Sequence, residues 1–264
     1  MINSEKTVTH IVNWLKQYAE KAHAKGFVVG ISGGIDSAVT SSLAALTKMP
    51  VLCLEMPIYQ HVKQVNRGHK HIEQLKSKFN NVTNLQTDLT PIFDSFLKAL
   101  STNKDNESEA LALVNLRARM RMTALYYHAQ KNSFLVVGTG NKIEDFGVGF
   151  YTKYGDGGVD ISPIADLTKT EVYALGEFLG VNNDIMVAPP TDGLWGDERT
   201  DEEQIGATYP ELEWAMDFVN TNSTETNLTD RQKEVLAIYK KLNAANQHKM
   251  NPIPVCIIPD ELKN

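Results

Sequence analysis

The chain has 264 residues, with 42% hydrophobic and 22% charged side chains, an ordinary composition for a soluble globular protein with a substantial core. Its net charge of −6 argues against a broad grip on a nucleic-acid backbone, so a small anionic ligand needs a local cluster of Lys and Arg. Two cysteines, Cys53 and Cys256, exclude a disulfide framework and, alone, a zinc centre.

No apolar stretch approaches the ~20 residues of a membrane span. The opening MINSEKTVTH lacks a basic region followed by an apolar one, which predicts a cytoplasmic protein. Residues 9–24 place Ile11, Trp14, Leu15 and Tyr18 at i, i+3, i+4 and i+7, an amphipathic helix with Gly26 as its stop. Residues 27–31 are a short apolar run with β-branched members and read as a buried strand. Residues 38–46 (AVTSSLAAL) are helix formers and small residues, so a helix follows at once.

The turn between them holds Ser32, Gly33, Gly34, Asp36 and Ser37. Glycine admits positive φ and close approach of a bulky anion to N–H groups. A helix N-terminus adds unpaired donors and a positive dipole end. Strand, glycine turn and helix therefore have the form of a phosphate cradle. The lysine of a GxxxxGK[ST] loop is missing, and Asp36 stands where the helix begins. A carboxylate beside a bound polyphosphate is repulsive unless a divalent cation lies between them. The alternative is a plain strand–helix turn capped by Ser32 or Ser37.

Residues 51–56 read as a second strand, closed by Pro57, with Cys53 as a buried small hydrophobe. A polar, basic helix over 61–79 and a strand over 82–85 follow. This βαβαβ order predicts an α/β protein, a doubly wound parallel sheet with helices on both faces. Ligands of such sheets sit at the carboxyl ends of the strands. His69 and His71 point to different faces of their helix and read as solvated surface.

Residues 101–109 (STNKDNESE) read as a flexible loop, and 110–131 as a long helix carrying Arg117, Arg119 and Arg121. Steps of two land on different helical faces, so the three cannot all serve one site. Residues 134–137 are a fourth strand, and 138–141 a small-residue turn offering the Thr139 hydroxyl. Glu144 follows, and with Asp36 it makes a Mg²⁺ site completed by phosphate oxygens and water; alone it reads as an exposed first-turn residue.

In residues 151–160 (YTKYGDGGVD) three glycines break regular structure between Lys153 and Asp160. Thr168 to Glu171 has capping-box spacing, and Gly180 ends that helix. Lys169 in its first turn opposes the helix dipole, which calls for an anionic neighbour. Residues 188–195 form a loop, and the acidic run 196–206 reads as a mobile lid. Two more capped helices span 209–219 and 230–245, after which His248 and Lys249 stand at a helix C-terminal end.

The hexapeptide SGGIDS (32–37) resembles the pyrophosphate loop of the ATP-pyrophosphatase superfamily, in which ATP is cleaved to AMP and pyrophosphate. GISGGIDS (30–37), NLRARMRM (115–122), GTGNKIE (138–144), FYTKYGDGGVDISPI (150–164), LTKTEVY (167–173), PPTDGLW (189–195) and HKMNPIPVC (248–256) together resemble the ammonia-dependent NAD⁺ synthetases, in order and over most of the chain. TKYGDGG after an SGGxDS loop is particular to that family. Small departures are the TGNK turn (139–142) and the spacing from Glu144 to Lys153.

The resemblance implies an adenine nucleotide α-hydrolase-like fold in one domain, residues 1–264, without a glutaminase domain. It implies a ligase that amidates deamido-NAD⁺ with ammonia through an acyl-adenylate, releasing AMP and pyrophosphate. ATP contacts are implied for Gly30, Ile31, Ser32, Gly33, Gly34, Ile35, Asp36, Ser37, Thr139, Lys169 and Thr191. Mg²⁺ is implied on Asp36 and Glu144, with catalytic weight on those two and Lys169. Arg119, Lys153, Asp160, His248 and Lys249 match positions that bind deamido-NAD⁺, and Asp160 is a weak candidate base for ammonium. A homodimer with the dinucleotide near the subunit interface is implied, with no nucleic-acid or membrane partner. A tRNA-modifying pyrophosphatase needs a basic RNA face; a nucleotide sensor leaves Glu144, Lys153 and Asp160 without work.

Overall fold

Four apolar runs pair as parallel strands in the computed structural model, which describes residues 2–100, 107–191, 193, 199–221, 223 and 226–263. They are β1 (Gly26–Gly30), β2 (Val51–Glu55), β3 (Val82–Gln86) and β4 (Phe134–Val137), in the order β3-β2-β1-β4. Phe27 lies opposite both Val51 and Leu135. The winding direction reverses at β1, so a crevice opens between the carboxyl ends of β1 and β4.

The helices before β4 are α1 (Ser4–Lys21), α2 (Ile35–Leu46), α3 (Val62–Lys78), α4 (Thr90–Leu100) and α5 (Glu107–Asn132). A π-helical segment, Ile143–Val148, precedes α6 (Lys169–Leu179), α7 (Asn183–Met186), α8 (Asp201–Ile205), α9 (Tyr209–Asn220) and α10 (Asp230–Met250).

The period of two along β1 sends Phe27 and Val29 to one face and Val28 to the other. The first face packs against Leu15 of α1, Leu43 of α2, Ile72 of α3 and Leu175 of α6. The second packs with Leu54 and Val136 against Phe93 of α4 and Ala129 of α5. Each buried Val, Leu, Ile or Phe side chain among these contributes about 1.5–3 kcal/mol. A separate core at the carboxyl end of the sheet joins Ile143 and Val148 to Leu212 of α9 and Tyr239 of α10. No described helix is long and apolar enough to cross a membrane.

Several expected boundaries move. α1 ends at an Ala22 cap, with His23 at a φ of 53°, and Gly26 opens β1 instead of stopping the helix. α5 begins at Glu107, inside the stretch expected as loop; residues 101–106 lie outside the described residues. α10 runs through Met250, so His248 and Lys249 belong to its last turn rather than to a tail. Of the expected lid, 201–205 form α8 behind a Thr200 capping box, and 196–198 lie outside the described residues.

His71 corrects the surface reading. It is 1% exposed, because it shares the inner face of α3 with Gly68, Ile72 and Leu75. Its Nε2 lies 2.9 Å from Ser41 Oγ, and burial lowers its pKa to about 4, so it is neutral.

Candidate active site

At the carboxyl end of β1 the chain turns through Ser32, Gly33 and Gly34 into α2. Gly33 has a φ of 81°, and a Cβ there would stand 2.4 Å from the Gln64 carbonyl oxygen of α3. Conformation and space both demand glycine. The loop is closed on itself: Ser32 N donates to Ser37 Oγ at 3.3 Å, Gly34 N to Ser32 Oγ at 3.2 Å, and Ser37 Oγ to Gly34 O at 3.0 Å. Arg67 Nε holds Gly33 O from α3 at 3.2 Å. Gly34 is the N-cap and supplies no side-chain acceptor, which leaves first-turn N–H groups of α2 available to an anion.

The anion that Lys169 calls for is a pair of carboxylates. Lys169 is 3% exposed; its Nζ donates to Asp36 Oδ2 at 2.6 Å and to Glu144 Oε1 at 3.0 Å. Asn141 Nδ2 donates to Asp36 Oδ1 at 3.2 Å, while Asn141 Oδ1 accepts from the backbone N–H groups of Ile143 and Glu144 at 3.1 and 3.2 Å. One side chain thus ties the start of the π-helical segment to α2. Tyr209 OH donates to Glu144 Oε1 at 2.5 Å, and its ring centroid lies 4.5 Å from Lys169 Nζ.

Burial disfavours the Lys169 charge, but Asp36 and Glu144 more than offset it and hold its pKa above the ordinary value. Burial raises the Asp36 carboxyl, against the lowering pull of Lys169. Neighbouring Asp145 is pushed up to about 8 by burial and by Glu144, Asp156 and Asp36. Asp156 is open to the cleft yet closely surrounded by protein, and desolvation raises it to about 6.

Among the described residues no three His, Cys, Asp or Glu side chains form a metal cage. The Asp36 and Glu144 carboxylates at the cleft suit Mg²⁺, which typically takes one or two carboxylates and completes its octahedron with water and substrate phosphates. Among the described residues Glu144 Oε2 carries no hydrogen bond, so the side chain retains an oxygen for a cation.

A cleft of about 250 Å³ spans the crevice. Gly30, Ile31, Ser32, Asp36, Ser37, Thr139, Glu144 and Thr191 of the sequence-derived set line it. Ile35 instead points into the core at 3% exposure, and Lys169 sits beneath the cleft wall. Gly33 and Gly34 shape the loop without lining the cleft, and the five residues matched to deamido-NAD⁺ lie elsewhere. Lys153 Nζ donates to the His248 carbonyl oxygen, and Lys249 Nζ donates to Gly149 O and Tyr151 O at 2.8 Å each. Asp160 accepts from Tyr126 OH at 2.9 Å and from Val136 N at 2.8 Å. Arg119 is exposed, with Nε 3.4 Å from Lys153 O. None of these five lines the cleft.

Helical spacing left the choice among the three arginines of α5 open, and the resemblance named Arg119. Arg121 is the one at the cleft, donating to Met56 O at 3.0 Å and to Gln60 Oε1 at 2.6 Å. Asn141 had a signal in the small-residue turn; Tyr209 had none, because α9 brings it in from 65 residues beyond Glu144.

A parallel sheet with a glycine phosphate loop at its switch point, faced by an acid–lysine cluster, defines an α/β nucleotide enzyme of the ATP-pyrophosphatase class. A family model described as NAD synthase matches residues 7–253, and the chain belongs to that family. An "NH(3)-dependent NAD(+) synthetase" of Syntrophomonas wolfei is 37% identical, the match covering 100% of both chains. The solved NMN synthetase of Francisella tularensis is 30% identical, with a TM-score of 0.82 over 98% of this chain and 100% of that one. An NH3-dependent NAD synthetase structure from Campylobacter jejuni shares the fold at a TM-score of 0.78 and 22% identity, over 97% of this chain and all of that one.

Proposed function

We infer that the cleft makes NAD⁺ by ATP-driven amidation of deamido-NAD⁺ with ammonia, a reading supported by the full-length Syntrophomonas relative named as an NH(3)-dependent NAD(+) synthetase. The observation that carries this reading is the Asp36–Lys169–Glu144 cluster set against the phosphate loop. A nicotinate carboxylate is a poor electrophile. Its oxygen attacks the α-phosphorus of ATP, pyrophosphate departs, and a mixed anhydride with AMP remains. Ammonia then attacks the acyl carbon and AMP leaves.

Loop N–H groups and the N-terminus of α2 bind the departing pyrophosphate, and Ser32 and Ser37 orient it. Lys169 contributes fixed positive charge beside that leaving group. Asp36 and Glu144 would hold Mg²⁺, which when bound neutralises phosphate charge. Arg121 anchors the nucleotide side of the cleft through Met56 and Gln60. Arg119, Lys153, Asp160, His248 and Lys249 belong to the dinucleotide-binding region of this reading, with Arg119, Lys153 and His248 linked through backbone carbonyl oxygens.

A homodimer is part of the proposal. Ile92, Phe96 and Leu100 expose a stripe at i, i+4 and i+8 on α4, and Leu111 and Tyr127 of α5 are exposed as well. Apolar exposure of this kind marks an interaction surface.

The test is formation of AMP and NAD⁺ from ATP, Mg²⁺ and deamido-NAD⁺, with ammonium or with glutamine. NAD⁺ with ammonium, abolished by Asp36→Ala, is the expected result; ATP cleavage without amidation would overturn it. A second substrate deserves its own arm, because the Francisella structure is that of an NMN synthetase. Nicotinate mononucleotide presents the same reacting carboxylate without the distal AMP, so a higher kcat/KM for it would move the assignment to the mononucleotide.

A further inference from the structure

We infer that Tyr209 is a positioning residue for this reaction: with Lys169 it saturates one oxygen of Glu144 and so presents the other to a divalent cation. This rests on Glu144 being a metal ligand, as proposed above.

Both donors fall on the same atom. Tyr209 OH reaches Glu144 Oε1 at 2.5 Å, and Lys169 Nζ reaches that same oxygen at 3.0 Å. Among the described residues Oε2 has no partner, although Glu144 lines the cleft. An ionised carboxylate has about four lone-pair sites on its two oxygens. Two donors on Oε1 therefore fix the rotation of the group and leave Oε2 for a cation.

The phenol is held as firmly as the carboxylate. Tyr209 is 3% exposed and packs with Leu212, Leu236 and Tyr239. It is the first residue of α9, behind the Thr208 capping box, and its backbone N–H donates to Glu202 Oε1 of α8 at 2.8 Å. Its hydroxyl also lies 3.4 Å from Asp201 Oδ2, at the start of α8. The residue therefore joins α8 to the acid–lysine cluster. Hydrogen bonds to a ligating carboxylate orient it, and their loss typically costs ~10–100-fold in metal affinity or activity.

Tyr209→Phe removes the hydroxyl and keeps the packed ring. The probe is Mn²⁺ with a non-hydrolysable α,β-methylene ATP, counted by electron paramagnetic resonance against nucleotide without protein. The variant should bind Mn²⁺ ~10–100-fold more weakly. In parallel, the Mg²⁺ concentration for half-maximal rate should rise, with most of kcat restored at saturating Mg²⁺. In a Glu144→Gln background, Tyr209→Phe should add nothing.

Unchanged Mn²⁺ affinity in the variant overturns the inference while leaving the metal reading intact. Wild-type protein that adds no Mn²⁺ binding to that of the nucleotide overturns the metal reading and this inference with it, even where NAD⁺ is formed. A variant unfolded by circular dichroism makes the hydroxyl a folding contact and also overturns the positioning role.

Discussion

Replacing Lys169 with methionine keeps the length of the side chain and deletes its charge. Lys169 is 3% exposed, and Asp36 and Glu144 are 17% and 15% exposed, so all three sit largely out of water. Their two bonded oxygens are each within 3.0 Å of Nζ and hence less than about 6 Å apart. At that separation and an effective dielectric of about 20, two carboxylates repel by roughly 3 kcal/mol. Breaking a buried pair by removing one partner costs about 3–5 kcal/mol, a range that agrees in size. The rate should fall as well, by ~10²–10³, if Lys169 stabilises the leaving pyrophosphate. The assay is urea unfolding at pH 7.5 and at pH 5, with and without Mg²⁺. Without the lysine, which pulls it down, the buried Asp36 carboxyl rises further above its unfolded value. The penalty is therefore full at pH 7.5 and shrinks as protons bind toward pH 5, and Mg²⁺ should relieve it at either pH. Lys169→Met as stable as wild type at pH 7.5, or a deficit indifferent to both pH and Mg²⁺, would refute the buried charge cluster.

Gly33→Ala should lose ~1–2 kcal/mol for the left-handed backbone alone and more for the 2.4 Å approach to Gln64 O, with α3 displaced and ATP-analogue affinity lowered in calorimetry. Arg121→Ala should raise the KM for ATP about tenfold, because Met56 O and Gln60 lose their anchor, whereas Arg119→Ala should leave that KM unchanged in steady-state kinetics. The Asp145 carboxyl, at about 8 in the fold against 3.8 ordinarily, binds a proton more tightly folded than unfolded. Its contribution is full below about pH 4 and is lost as pH rises through about 8. Thermal melts should show Asp145→Asn stabilised relative to wild type at pH 8.5, with a much smaller offset at pH 5; equal offsets at both pH values count against it.

What could be read from the chain were features settled within a few residues. Period-two and period-3.6 patterns located the four strands and most helices, and Thr168, Thr208 and Thr229 each announce a capping box that the fold contains. α4 was missed because Thr90-Pro91 and the Ile92, Phe96, Leu100 stripe leave only Phe93 buried, so no ordinary inward face was legible. His71 was misplaced because the pair with His69 failed metal-ligand spacing and was then read as solvated surface, while the burial of one face of α3 depends on α2 packing across it. The six-residue π-helical segment has no compositional mark, yet it carries Glu144 into the crevice.

The site residues divide along the same line. Ser32, Gly34 and Ser37 are bonded to one another over at most five residues, so a local motif suffices to identify them. Lys169 meets Asp36 across 133 residues, and no local pattern encodes that distance. What did register was a conflict: a cation in the first turn of a capped helix, against the dipole. A locally unfavourable choice kept in an otherwise consistent helix implies compensation from elsewhere in the fold. Two carboxylates supply it. Tyr209 shows the limit of that logic, since a tyrosine opening a helix conflicts with nothing, and only the packing of α9 against the π-helical segment reveals that its hydroxyl ends on Glu144.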